Sequence, residues 1–219
     1  MFPFVNVHTH TPGEGINVWD VGRNVPVGEV GEMDFFSVGI HPMEGMREGE
    51  VDWSGFRALV ERERVVAVGE CGLDRRFARD LREQERLFWR QAECAEEAGK
   101  PVVIHGVRAY PEIIATRKAG GFRMPWVIHG YNNNERILAQ LLEHGFYISA
   151  GAVLLTPDSN VSRRLGDIPL ERLFLETDDR ETGIEEVYAG AACRLGWEME
   201  ELKKRLWMNF NTVFHGMVK

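Results

Sequence analysis

The chain has 219 residues, 44% of them hydrophobic and 27% charged, with a net charge of −8. That length and composition suit one soluble globular domain with a full core and give disorder no support. The acidic balance argues against a protein that holds nucleic acid by a basic stripe, because that mode needs Lys and Arg to neutralise phosphates. Bound divalent cations can still bring an acidic protein to a phosphodiester.

The chain opens MFPFVNVHTH and enters a strand pattern at once, without a basic segment or a long apolar run. Neither a signal peptide nor a membrane span is expected. Cys71, Cys94 and Cys193 are far apart, odd in number and match no zinc-knuckle or redox spacing, so a reducing compartment, the cytoplasm, is the expected location. Short β-branched runs then alternate with longer amphipathic stretches, the pattern of βα units around a parallel sheet. Strands are expected at residues 4–8, 35–40, 65–69, 102–105, 126–129, 146–150 and 173–177.

Between these strands, four apolar sets fall at helical spacing. They are Trp53, Phe56, Leu59 and Val60; Leu81, Phe88, Ala92 and Ala95; Ile113, Ile114 and Arg117; and Ile137, Leu138, Leu141 and Leu142. Gly99, Gly120 and Gly145 stand where left-handed helix caps belong. Residues 11–34 are weaker: TPGEG and VGEVGE read as turns, which leaves 16–20 as a possible short strand, no helix, and an eighth strand unassigned. From Ile184 onward, helices carrying Val187, Leu195, Leu202, Leu206 and Trp207 close the fold. No repeat or linker divides the chain, so a single domain over 1–219 is expected.

Parallel strands deliver functional groups from their C-terminal ends. His8, His10, His41, His105 and His129 lie at or just beyond such ends, as do Glu70 and Asp178. Imidazole and carboxylate together suit zinc, manganese and similar divalent ions. The His8-Thr9-His10 spacing has the period of a strand, so both histidines can face one ion. Each residue alone has a plainer reading. A solitary strand-end histidine such as His105 is more often a hydrogen-bonded structural group. Glu70 could accept backbone hydrogen bonds in a turn, and Asp178 or Asp179 could cap the next segment. Cys71 reads as a packing residue and the six tryptophans as core or edge. His144, at a helix C-terminus, reads as a dipole partner or an exposed side chain. It is the convergence of six strand ends on one face that favours a metal site.

The ordered motifs resemble the TatD family of metal-dependent hydrolases, among the amidohydrolase-like barrels. The resemblance rests on HTH at 8–10, GIHP at 39–42, GECGLD at 69–74, PVVIH ending at His105, WVIHG around His129, HGFYISAG at 144–151, IPLERLFLETD ending at Asp178, and NFNTVF near the C-terminus. It implies a TIM-type (β/α) barrel, with a reduced or irregular segment between the first two confident strands. It also implies two divalent metal ions (Zn, Mn, Mg or similar): His8, His10 and Asp178 on one, His105 and His129 on the other, and Glu70 bridging.

The activity it implies is that of a deoxyribonuclease or phosphodiesterase acting on nucleic-acid ends or a small phosphodiester. No membrane and no obligate protein partner is implied. The segments after His105 and His129 depart from the family pattern. Here they read Gly106-Val107-Arg108-Ala109 and Gly130-Tyr131-Asn132-Asn133, and Asn6 and Asp179 stand where the family usually has aspartate and proline. His41, Arg108, Tyr131 and Asn132 are the expected substrate contacts, with Asp178 and Glu70 acting on a metal-activated water. The competing readings are hydrolysis of an ester, lactone or amide in the same barrel, and a non-catalytic binding protein that keeps the fold.

Overall fold

The computed structural model describes residues 1–24, 34–77 and 80–214. Eight parallel strands follow one another in chain order around a single sheet: β1 (Val5–Thr9), β2 (Ile16–Asp20), β3 (Asp34–Val38), β4 (Val65–Asp74), β5 (Val102–Val107), β6 (Trp126–Ile128), β7 (Tyr147–Ala150) and β8 (Leu173–Leu175). A parallel bridge between Thr9 and Asp178 returns the end of the eighth strand to the first. The result is a nearly closed barrel of the expected TIM type.

Residues 16–20, unassigned from sequence, form β2 and pair on both sides. Val5 pairs with Ile16, so residues 10–15 carry the chain back along the length of β1 without a helix. Two local devices make this short crossover possible. The buried Asn17 side chain accepts from the Gly13 N–H and donates to the carbonyls of Gly13 and Gly15. Gly15 holds a φ of 93°, and a Cβ there would lie 2.5 Å from the Phe4 carbonyl oxygen, so only glycine fits. The turn residues that hid the strand therefore belong to its crossover. The VGEVGE segment and His215 lie outside the described residues.

The outer helices are α1 (Trp53–Val60), α2 (Leu81–Ala98), α3 (Tyr110–Gly120), α4 (Glu135–Glu143), α5 (Asn160–Arg164), α6 (Ile184–Leu195) and α7 (Met199–Val213). Asp52, Asp80 and Asn134 cap α1, α2 and α4 through backbone N–H groups of their first turns. Gly99 and Gly145 take the left-handed conformation expected of them. At α3 the cap is Gly121 instead of Gly120, whose missing side chain makes room for the Phe122 ring.

Two apolar clusters fill the molecule. The larger lies between sheet and helices and includes Phe36, Ile104, Ile128 and Leu175 with Phe56, Phe88, Ile113 and Leu138. The smaller lies within the barrel, with Val7, Phe35, Val66, Val103, Val127 and Phe174. Phe210 and Phe214 of α7 stack on each other and reach Phe35 and Phe174 near the strands' N-terminal ends, which closes that end with hydrocarbon. The polar groups are left to the opposite end. No helix among the described residues is long and apolar enough to cross a membrane.

Candidate metal centre

The C-terminal end of the barrel gathers five histidines and five carboxylates. His8 lies in β1 and His10 just past it, Asp20 ends β2, His41 follows β3, and Glu70 and Asp74 lie in β4. His105 lies in β5, His129 follows β6, and Glu176 and Asp178 follow β8. Glu70 is inside its strand, not after it, because β4 continues to Asp74 with a register shift between Val68 and Cys71 against β5. Gly72 permits that continuation, since at its φ of 142° a Cβ would stand 2.1 Å from the His105 carbonyl oxygen.

Glu70 is the hub. Its Oε1 lies 2.6 Å from His105 Nδ1, 2.7 Å from His129 Nε2 and 3.3 Å from His41 Nε2. Its Oε2 lies 3.5 Å from His8 Nε2. Asp178 Oδ1 stands 3.4 Å from His8 Nε2 and 3.6 Å from His10 Nε2. The donor atoms form tight sets of His8, His10 and Asp178; of His8, Glu70 and His129; of His41, Glu70 and His105; and of His10, Asp20 and Glu70. All six residues expected as ligands are thus brought together. His105 and His129, expected on one ion, share Glu70 Oε1 but do not form a tight set with it.

Burial and mutual charge shape this cluster. Burial and neighbouring His129 push the His8 imidazole down, but Asp178 and Glu70 outweigh them and raise its pKa to about 10. Burial opposes ionisation of Glu70, yet His129, His105 and His41 hold its carboxyl well below the usual range. His129 is likewise driven down by burial and carried well above its ordinary value by Glu70 and Glu176. Asp178 is lowered by His10 and His8 against its own burial.

Two ring nitrogens of the wholly buried His8 have no hydrogen-bond partner, and the same is true of His129 Nδ1 and Glu176 Oε2. Orphaned buried nitrogens beside an excess of carboxylate are what a divalent cation satisfies, so the donor set fits such ions.

A sequence profile described as TatD related DNase matches residues 26–215. The chain belongs to that family. It is 35% identical over 148 residues to a 3'-5' ssDNA/RNA exonuclease TatD of Edwardsiella piscicida, a match covering 65% of this chain and 56% of that protein. It is 28% identical over 209 residues to an uncharacterized metal-dependent hydrolase, YcfH, of Escherichia coli K12, covering 85% of this chain and 76% of the relative. The chain therefore spans little more than half the length of the first of these relatives. Its fold superposes with a TM-score of 0.82 on the crystal structure of YjjV, a TatD homolog from Escherichia coli K12, over 97% of this chain and 98% of that one at 21% identity.

Within this TatD-family barrel the four expected substrate contacts fall in different places. His41 is part-buried at the centre, and its Nδ1 accepts from the Met43 N–H. Arg108 is exposed at the end of β5 with a φ of 55° and no ion pair among the described residues. Tyr131 is fully buried, and its hydroxyl donates to the Asn134 carbonyl. The exposed Asn132 accepts from the Val161 N–H, which ties its loop to α5. Tyr131 is thus occupied by packing, whereas Arg108 is free to reach a ligand.

Three carboxylates of the site escaped sequence reasoning. Asp20 Oδ2 lies 3.8 Å from His10 Nδ1, Asp74 Oδ2 lies 3.2 Å from His105 Nε2, and Glu176 Oε1 lies 3.4 Å from His129 Nδ1. The available signal was position: Asp20 and Asp74 end their strands and Glu176 follows one, as the ligands do. Asn6 links β1 to β8, donating to Thr177 Oγ1 and accepting from the Thr177 N–H. Cys71 is buried, and that burial drives its thiol pKa well up, in keeping with a packing role.

Proposed function

We propose that this chain is a hydrolase that cleaves phosphodiester bonds of nucleic acid, at strand ends, with two divalent ions and a metal-activated water. The carrying observation is Glu70, whose two oxygens face different sets of donors: His8 on one side, His105 and His129 on the other. His8, His10 and Asp178 would hold one ion, His105 and His129 the second, with Glu70 between them; zinc, manganese or magnesium suits these donors. When bound, such ions lower the pKa of water towards ~7 and offset charge growing on a phosphoryl oxygen.

The protein's own groups divide the remaining work. Asp178 is 32% exposed and Glu70 only 6%, so Asp178 faces the open mouth and is the group that orients water and receives its proton. His8 and His10 keep it ionised for that task. Arg108, exposed beside the end of β5, supplies a cation for a phosphate. The relative named as a 3'-5' ssDNA/RNA exonuclease supports nucleic acid as the substrate class. The barrel acts as one domain without an obligate protein partner, and its three unbonded cysteines suit the cytoplasm.

Elemental analysis of metal content, followed by incubation with end-labelled single-stranded DNA with and without chelator, tests this reading. Two ions per chain and chelator-sensitive shortening from one end are expected. A metal-loaded chain that leaves DNA intact but opens an ester, lactone or amide would replace the phosphodiester with a carbonyl substrate. A chain that takes up no metal would overturn the reading.

A further inference from the structure

Three histidines surround Glu70 Oε1 at hydrogen-bond range, and by distance alone each could be a ligand. They differ in what holds the other ring nitrogen. In a neutral imidazole one nitrogen carries the proton and the other accepts or ligates, and the partner of one nitrogen decides the state of the other. We infer that these outer partners sort the three rings: Asp74 and Glu176 make His105 and His129 ligands of the second ion, through Nδ1 and Nε2 respectively, while His41 is kept as a hydrogen-bond donor. The inference rests on the metal-centre reading above and adds residues and ring atoms to it.

Asp74 is 2% exposed and fixed from three directions. Its backbone N–H donates to Gln84 Oε1, its carbonyl accepts from Gln84 Nε2, and its Oδ1 accepts from the Arg76 N–H. Oδ2, shared only with the exposed Arg76 guanidinium, is left facing His105 Nε2. A carboxylate there holds the proton on Nε2, so the lone pair is on Nδ1, the nitrogen directed at Glu70.

Glu176 does the same for His129 from the other side. It is wholly buried, and the Gly130 N–H donates to its Oε1 at 2.5 Å. That oxygen faces His129 Nδ1, which leaves Nε2 bare towards Glu70. The two rings thus present opposite nitrogens to one site.

His41 is arranged the other way. A backbone N–H can only donate, and Met43 donates to His41 Nδ1 at 3.1 Å, so the neutral ring carries its proton on Nε2. That proton points at Glu70 Oε1 and towards the mouth. His41 is unsuited to ligate and suited to donate to a carboxylate or a substrate oxygen. His8 has no such backing group, since its Nδ1 has no hydrogen-bond partner. Carboxylate backing therefore favours the ion at His105 and His129. Asp74 and Glu176 are positioning residues, not catalytic ones.

Zinc-loaded protein labelled with 15N-histidine, read by long-range 1H–15N correlation, tests the assignment directly. The expected spectrum has His105 ligating through Nδ1, His129 ligating through Nε2, and His41 unligated with its proton on Nε2. A His41 ring bound to zinc, or His105 bound through Nε2, would overturn it. Competition with a chromophoric chelator supplies an independent readout that needs no activity. D74N and E176Q are each expected to weaken one of the two zinc ions about 10–100-fold. H41Q should leave both zinc affinities unchanged. Wild-type affinities in D74N and E176Q, with folding intact by circular dichroism, would remove this inference alone. A wild-type chain that binds no second zinc would remove the metal-centre reading with it. Should D74N fail to fold, the wild-type spectrum decides.

Discussion

Asp178 combines three properties seldom found in one residue. It has a φ of 56°, in the left-handed region that non-glycine residues avoid, it is part-exposed, and it is held ionised by two histidines. Strain of that kind is tolerated where surrounding contacts over-determine it, and here its N–H donates to the His8 carbonyl while its own carbonyl accepts from the His10 N–H. D178N keeps the shape and removes the proton acceptor. Hydrolysis by D178N at saturating metal should fall ~10²–10⁴-fold with the circular dichroism spectrum unchanged; full activity would clear Asp178 of its role.

His8 supplies a pH dependence. In the metal-free protein its pKa is raised from 6.5 to about 10, so its contribution to stability is complete below pH 6.5 and is lost as pH rises towards 10. A metal must displace that proton, so ion affinity climbs over the same range. Calorimetry in buffers of different ionisation enthalpy should therefore show proton release on metal binding at neutral pH. The ligand histidines were legible in the sequence because a two-residue period and a strand end are linear features. Asp20, Asp74 and Glu176 were not, because their roles depend on which nitrogen of a histidine they face.

Among the elements, those that follow a period were readable in advance. The helices carrying Phe56, Phe88, Ile113 and Leu138 formed where the apolar spacing placed them, and Gly99 and Gly145 ended two of them. β2 was obscured because its approach replaces the usual helical crossover with six residues of turn chemistry. β4 was cut short because Gly69 and Gly72 read as an ending, whereas they let three backbones crowd together. Gly15 tests the crossover. G15A places a Cβ against the Phe4 carbonyl in a left-handed backbone, and should cost about 1–3 kcal/mol by urea unfolding. An unchanged midpoint would mean that the loop relaxes freely.

At the scale of the whole molecule, hydrocarbon and charge are segregated to opposite ends of one barrel. Phe210 and Phe214 seal the N-terminal end, and five carboxylates crowd the other. Metal ions binding that end should stabilise the entire fold, by ~2.7 kcal/mol at free ion one hundred times the dissociation constant. A melting temperature that rises with added metal and drops on chelation would show it; one indifferent to both would refute it.

The ring is joined by Asn6 and Thr177, 171 positions apart, and by the bridge from Thr9 to Asp178. During synthesis, His8 must wait for nearly the whole barrel to be made before Asp178 arrives beside it. A nascent chain carries most of the ion-binding groups but not the acid that the chemistry needs. Ring closure is thus also a safeguard in time, withholding a working centre until the barrel around it is complete.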